Sequence, residues 1–430
     1  MSIFAKDHEH RHIAGLLREA RAACPYDDVS EWMVYSQIVS PFLVNFVEWI
    51  ISDALKREVK ILYFLARDGQ ILHKIAKALT ACRNIPIECR YLYASRQALH
   101  LPGHVSISQS RSWIMDDTDY LSIRAISERL AIPVELFGEK VRKKIDVDFE
   151  KNLSKDERRI LSLLLEENSI SKLIDESSKE KLDLAVKYFR QEGVISDEIR
   201  NIGIVDVGWH GRLQRSIDNI LSKCDIFPSY IHGYYLALFD SMVYSDATRT
   251  HAFMYSPYQP ATSGGEWILS NLGMMELFHS ADHPSTMSYS ADEYGRYGPV
   301  FLDHSVSNNS VFRQEAILSF ANRYAALSGS LGRSIELGKV NNRLRRLLER
   351  PSIEEAKIFS KYYHSEHQVE MESVPFVRKM TLMEAFRKPP SRTHGLWPAG
   401  SHVITGTFIY YYSRNIAFRV KRIISRWLMF

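Results

Sequence analysis

The stretch Asn201 to Leu221, NIGIVDVGWHGRLQRSIDNIL, restricts the fold of this chain more than any other. Ile202 to Val205 form an apolar run short enough for a buried strand, Asp206 stands at its end, Gly208 and Gly211 supply a tight turn, and Leu213 to Leu221 carry helical spacing. Strand, glycine loop and helix in that order make a βα unit. Such a junction leaves free backbone N–H groups at the positive end of a helix dipole, where a phosphate binds well, and the glycines let an anion come close. Asp206 could then hold sugar hydroxyls or a metal ion. The same residues also suit an ordinary βα turn with Asp206 as helix cap, because DxGxxG alone is a weak motif.

A second unit, EVKILYFLARDGQILHKIAKAL, precedes it. Ile61 to Leu65 read as a buried strand, Ala66 to Gly69 as a sharp polar turn, and Ile71, Leu72, Ile75, Ala76 and Leu79 as the buried face of a helix. A further strand, Cys89 to Tyr93, ends in Ala94-Ser95-Arg96. In an open parallel sheet all carboxyl ends lie on one edge, and ligands bind there. Arg67, Asp68, Arg96 and the Asp206 loop are therefore expected to converge, unless the arginines only form surface salt bridges.

At 430 residues the chain is long enough for two or three domains. Residues 1–57 look helical, and the apolar segment from Trp32 to Leu55 is expected to pack on the part that follows. Gln37, Pro41, Asn45 and Glu48 interrupt that segment, so it does not read as a membrane span. His8, His10 and His12 alternate in a polar stretch and read as solvated rather than metal-binding. The α/β core divides into residues 58–104 and 201–305, separated by a helical insertion over 105–200. Within the insertion, Ser154 with Glu157 and Ser177 with Glu180 fit capping boxes, and Gly193 ends the last helix. Asp117-Thr118-Asp119 has the DxD spacing of nucleotide-sugar sites but sits in a polar turn ahead of a helix, which favours capping or solvation.

Tyr230 to Leu238 reads as another strand, followed by a loop-rich region. There Glu276 and His279 are weaker candidates for a site, and His279 with His283 has a metal-compatible spacing but lacks a third ligand. Residues 306–400 read as helical, and nothing in them suggests a site. The four cysteines show no CxxC pairing, and the N-terminus lacks a basic start followed by an apolar segment. A reduced, cytoplasmic setting is expected.

The formal charge of +4 is unevenly distributed. After Glu384 no acidic residue follows, and removing the eight basic residues beyond it from the 55 in the chain leaves 47 against 51 acidic ones. In the tail, 401–430, Ile416, Val420, Ile423, Ile424 and Trp427 form one helical stripe. Arg419, Lys421, Arg422 and Arg426 lie mostly off it, and Phe408 and Tyr410 to Tyr412 precede it. A basic, aromatic, amphipathic helix of this kind suits an anionic membrane surface, each basic residue adding about 1 kcal/mol near the headgroups. Docking of the helix on the protein body is the other reading. Nucleic acid is disfavoured as a partner, because the body is acidic and no recognition motif accompanies the tail.

FLARDGQIL and VDVGWHGRLQ, separated by an insertion, together resemble a pair of loops in a group of bacterial polysaccharide-biosynthesis proteins, many of them labelled haloacid-dehalogenase-like. Within that group the FLARDG part looks like a ribofuranosyl phosphate transferase related to type I phosphoribosyltransferases. The resemblance covers roughly residues 30–300. It implies an α/β fold with a Rossmann-like parallel sheet, Mg²⁺, and 5-phosphoribosyl-1-diphosphate as donor. Ala66, Arg67, Asp68 and Gly69 would face the diphosphate, and Tyr93, Ser95 and Arg96 would lie near it. Asp206 would meet the ribose hydroxyls and the metal, and Gly208, Trp209, His210, Gly211 and Arg212 would surround the 5-phosphate. Type I enzymes usually carry two adjacent acidic residues and then a Thr-Gly pair, whereas here Val207 and Gly208 follow Asp206.

Hydrolase chemistry of the dehalogenase kind needs a nucleophilic aspartate and a second aspartate two residues later. Gly69 and Gln70 follow Asp68, and Val207 and Gly208 follow Asp206, so neither loop is equipped for it. A phosphatase acting with this chain would be a separate domain or protein. The expected reaction is transfer of 5-phosphoribosyl to a sugar hydroxyl of a lipid-linked glycan at the inner membrane face, with Asp68 as base. The alternatives are a nucleotide-sugar glycosyltransferase and a non-catalytic, membrane-associated assembly protein.

Overall fold

A computed structural model of the chain describes residues 11–115, 121–196, 201–225, 230–239, 248–259, 262, 264–302, 309–331, 335–365, 373–386 and 394–415. Five parallel strands form the central sheet: β1 (Ile61–Leu65), β2 (Glu88–Leu92), β3 (Asn201–Asp206), β4 (Tyr230–Ala237) and β5 (Thr250–Tyr255), in the order β2-β1-β3-β4-β5. The fold class is therefore α/β.

The middle strands are apolar on both faces because both faces are covered. Leu62 and Phe64 of β1, with Val205 and Leu236, join a core with the helical run Val29–Lys56 and the helices Gly69–Arg83 and Asn309–Leu331. Ile61, Tyr63 and Leu65 point the other way, with Ile202 and Ile204, toward the helices Asn168–Gln191 and Arg212–Ser222. The helical insertion has its own core, running from Leu101 to Ile174.

The apolar segment near the N-terminus requires a correction. As a helix, Val29–Lys56 is long and apolar enough to cross a bilayer, despite its polar interruptions. Two thirds of its most apolar stretch is nonetheless buried inside the protein. Ser40 donates from its hydroxyl to the Ile317 carbonyl at 2.7 Å, Tyr324 donates to Glu48 at 3.0 Å, and Arg83 pairs with the same carboxylate at 2.5 Å. These bonds join Val29–Lys56, Gly69–Arg83 and Asn309–Leu331 into one layer, as expected of a core helix.

The capping box at Ser154 and Glu157 forms. The one expected at Ser177 does not: Asn168–Gln191 is a single helix, and the Ser177 hydroxyl donates from its middle to the Leu130 carbonyl at 2.8 Å. A favourable capping pair cannot start a helix where the preceding turn is already helical and packed. The region after β4 is also more ordered than a loop, holding β5 and the antiparallel hairpin β6 (Thr286–Ala291) and β7 (Tyr297–Phe301). Between 306 and 400, β8 (Tyr363–Ser365) pairs with β9 (Ser373–Pro375), so that region is not wholly helical.

Residues 408–415 are helical and begin the tail on the protein body. Tyr411 stacks on His402 at 4.5 Å, Tyr410 meets Phe386 edge-on at 4.5 Å, and the Arg350 guanidinium lies 4.6 Å from the Tyr412 ring centroid. Docking thus accounts for this aromatic segment. The basic stripe beyond it, the DxD turn, His8 and His10 lie outside the described residues.

Candidate active site at the carboxyl edge of the sheet

From β1 the chain passes to β2 on one side and later returns to β3 on the other, so the strand order reverses between β1 and β3. Ligands of doubly wound sheets bind at such a switch point, beyond the strand ends. There the ends of β1 and β3, Ala66-Arg67-Asp68 and Asp206, open into a cavity of about 580 Å³. That volume is within the range of about 300–1,000 Å³ typical of small-molecule sites.

The β1 loop is held from below. Ala66 N–H donates to the Leu92 carbonyl at 2.9 Å, extending the sheet ladder by one residue. Gly69 opens the next helix against the Phe64 backbone, where an added Cβ would lie 2.8 Å from the Phe64 carbonyl carbon. Gln70 then clamps three segments: it donates to Asp282 at 2.6 Å, receives the Asp282 N–H at 3.0 Å and receives Gln314 Nε2 at 2.7 Å.

The β3 loop needs its glycines. Gly208 has φ +142°, and a Cβ there would stand 2.3 Å from the Ala237 carbonyl oxygen. Gly211, at φ +67°, is the residue before helix Arg212–Ser222. Asp206 is therefore not the helix cap. Phe239 N–H donates to the Trp209 carbonyl at 2.9 Å, and the His210 ring stacks on Phe239 at 5.1 Å. The peptides Ala66–Arg67 and Gly208–Trp209 are both cis.

Three carboxylates meet in this cavity: Asp68, Asp206 and Glu276. Burial raises Asp68 to about 8, with the charges of Glu276 and Asp206 adding to the rise and Arg67 and Arg96 opposing it. Burial likewise raises Asp206 to about 7, while the N–H groups of Val207 and Gly208 and the charge of Arg96 favour its ionised form and Glu276 disfavours it. Glu276 accepts from Trp209 Nε1 at 3.2 Å, tying the helix Leu272–His279 to the β3 loop. Such neutral-range carboxyls in a cleft suit proton transfer or cation binding.

Among the described residues no group of three or more His, Cys, Asp or Glu side chains is placed to hold a metal by itself. Mg²⁺ commonly takes only one or two carboxylates and completes its shell with substrate phosphates and water. Two buried, mutually repelling carboxyls fit that habit.

The expected residues mostly converge. Ala66, Arg67, Asp68, Ser95, Arg96, Asp206, Gly208, Trp209, His210, Arg212 and Glu276 all line the cavity, whereas Gly69 and Gly211 shape the backbone behind it. Ser95 is largely committed to structure, since its hydroxyl donates to the Thr286 carbonyl and accepts from Ala98 N–H at 3.0 Å, capping the turn that begins at Arg96. Two expectations fail. Tyr93 is packed among Tyr91, His283 and Phe301 rather than on the cavity. His279 is fully buried, its Nδ1–H donates to the Met275 carbonyl at 2.6 Å, and burial lowers it to about 4, so it is a neutral core residue. His283 is held by the Tyr91 hydroxyl at 2.6 Å.

The larger surprise is the far wall, built by Arg313, Lys361, Tyr362, Tyr363 and Phe376 from the region expected to hold no site. No local pattern in the helical stretch NSVFRQEAIL singles this arginine out. No protein-family model and no curated protein matches this chain.

Proposed function

We propose that this protein transfers a 5-phosphoribosyl group from 5-phosphoribosyl-1-diphosphate to a sugar hydroxyl of a lipid-linked glycan at an anionic membrane surface. The observation that carries the reading is the meeting of the β1 and β3 loops in one cavity, although about 140 residues separate Asp68 from Asp206. Arg67 and Arg96 supply cationic groups for a diphosphate, and the first turn of helix Arg212–Ser222 supplies N–H groups and dipole for a 5-phosphate. The relation to type I phosphoribosyltransferases, resting on the same two loops, is part of the proposal.

In the reaction the bond from ribose C1 to the diphosphate oxygen breaks and a bond from C1 to the acceptor oxygen forms. The diphosphate leaves with the electron pair, and the acceptor proton passes to the Asp68 carboxylate. Positive charge develops at C1, where buried carboxylates stabilise it, while Arg67 and Arg96 stabilise charge on the leaving group. Asp206 holds the ribose hydroxyls and, with Asp68 nearby, offers oxygens to Mg²⁺. When bound, Mg²⁺ neutralises charge on the diphosphate.

Membrane association is supported by an exposed apolar neighbourhood. Leu382, Met383 and Phe386 are exposed on one short helix, Phe386 touches Tyr410, and the neighbouring Ile409 is 85% exposed. The basic tail follows directly.

Thermal denaturation of the purified chain with Mg²⁺ tests the donor. Phosphoribosyl diphosphate at about 100 times its Kd is expected to stabilise the fold by roughly 2.7 kcal/mol, and Asp206→Ala to abolish the shift. A shift with a nucleotide sugar instead would replace this reading with a nucleotide-sugar glycosyltransferase.

A further inference from the structure

The cavity is larger than its donor half. Besides the sheet edge, its lining includes Arg313 from the helix Asn309–Leu331 and Tyr362, Tyr363 and Phe376 from the segment around β8 and β9. Arg313 is only 5% exposed, yet it forms part of the cavity wall. Its Nη2 donates to the Ser280 hydroxyl at 2.7 Å, and its guanidinium lies 5.0 Å from the Tyr362 ring centroid. Nε and Nη1 are buried and meet no partner at good hydrogen-bond geometry among the described residues, although Arg313 lies close enough to the Tyr362 hydroxyl to favour that group's ionised form.

Glu31, which shares Tyr362 as a neighbour with Arg313, does not answer that charge. Glu31 is buried and is taken by the Lys361 ammonium and the Tyr362 hydroxyl, and Lys361 also reaches Asp28 at 3.3 Å. A guanidinium is always charged, and a buried charge with open donors is costly unless an anion meets it. Its donors match a carboxylate or phosphate better than any neutral group. The arginine is also pre-positioned, by Ser280 on one side and an aromatic face on the other, so little rotamer freedom remains to be lost on binding.

We infer that Arg313, braced by Ser280 and Tyr362, is an acceptor subsite that takes an anionic group, a carboxylate or phosphate carried by the acceptor, in the cavity it shares with Asp68. Exposed Tyr363 and the edge of Phe376 give the sugar ring of that acceptor an apolar face. The assignment to an acceptor rests on the transferase reading. The anion site itself does not.

The test uses the full chain and three probes of one ring type: glucuronate, glucose 6-phosphate and glucose, with binding followed by saturation-transfer NMR. Both anionic sugars are expected to bind roughly tenfold or more tightly than glucose, as a charge-assisted contact implies. Arg313→Gln is expected to remove the preference while leaving the thermal shift by phosphoribosyl diphosphate unchanged. Preference for one anionic sugar alone identifies the anion as carboxylate or phosphate and supports the subsite. Equal binding of all three sugars overturns it, as does a preference that survives Arg313→Gln. Loss of the donor shift in Arg313→Gln with sugar preference intact also overturns it, since the arginine then serves the donor. Should Arg313→Gln fail to fold, Ser280→Ala and Arg313→Lys serve instead, and an unchanged preference in both sinks the proposal. If the native chain discriminates the sugars but does not bind phosphoribosyl diphosphate, the anion subsite stands and the transferase reading falls.

Discussion

The switch-point loops and the helical insertion are built on opposite terms. In the insertion most local signals agree with the fold: Ser106, Ser122 and Ser154 each cap a helix, and the apolar faces close on a core from Leu101 to Ile174, with the Ser177–Glu180 pair as an exception. At the loops the local rules are broken, with two raised carboxyls side by side and a glycine at φ +142° against a carbonyl. Local conflict of this kind is kept where it serves chemistry, and it costs stability elsewhere tolerated.

Substitutions can break that contrast or sharpen it. The largest effect is expected from Asp206→Ala or Asp68→Asn, each lowering transfer from phosphoribosyl diphosphate by about 10²–10³-fold in a product assay, with circular dichroism unchanged. Folded variants that keep native turnover would make the loops mere scaffolding.

Asp68→Asn has a second, opposite consequence. Its carboxyl stands at about 8 in the fold against an ordinary 3.8, so its stabilising contribution is complete below about pH 4 and is lost as pH rises through 8. Removing the charge should therefore raise stability at pH 8 by on the order of a few kcal/mol, and much less at pH 5, when melting is measured in chelator. A Tm difference that does not grow with pH would contradict the burial of this group.

Leu161→Ala, deep in the insertion core, should cost about 2–5 kcal/mol in chemical denaturation and leave donor binding per folded molecule intact. Altered donor affinity there would mean that insertion and loops are one unit. Gly208→Ala should cost about 3 kcal/mol and also weaken donor binding, because its Cβ meets the Ala237 carbonyl in a conformation that excludes side chains. Smallest is Ser154→Ala, at about 1 kcal/mol with no functional change.

The sheet edge was legible because its signals are local. ILYFL and NIGIVD are short, apolar and followed by turn residues, and parallel topology then obliges their ends to meet. Ser154 with Glu157 was legible for the same reason, while Ser177 with Glu180 misled because a packed helix overrode a local pattern. Arg313 was not legible. Its neighbours Ser280 and Tyr362 are 33 and 49 positions away, and nothing within one helical turn marks it as facing a cavity. His279 was misjudged in the other direction, since a histidine near a glutamate reads as chemistry until burial is known.

The clamp around Gln70 also bears on the order of synthesis. It ties the β1 loop to Asp282 and Gln314, and the cavity wall reaches Phe376. As a chain leaves the ribosome, β1 emerges early and must wait for more than 300 further residues before its binding surface is enclosed. The wall that carries Arg313 and Phe376 is therefore the last part of the cavity to be synthesised, well after both switch-point loops.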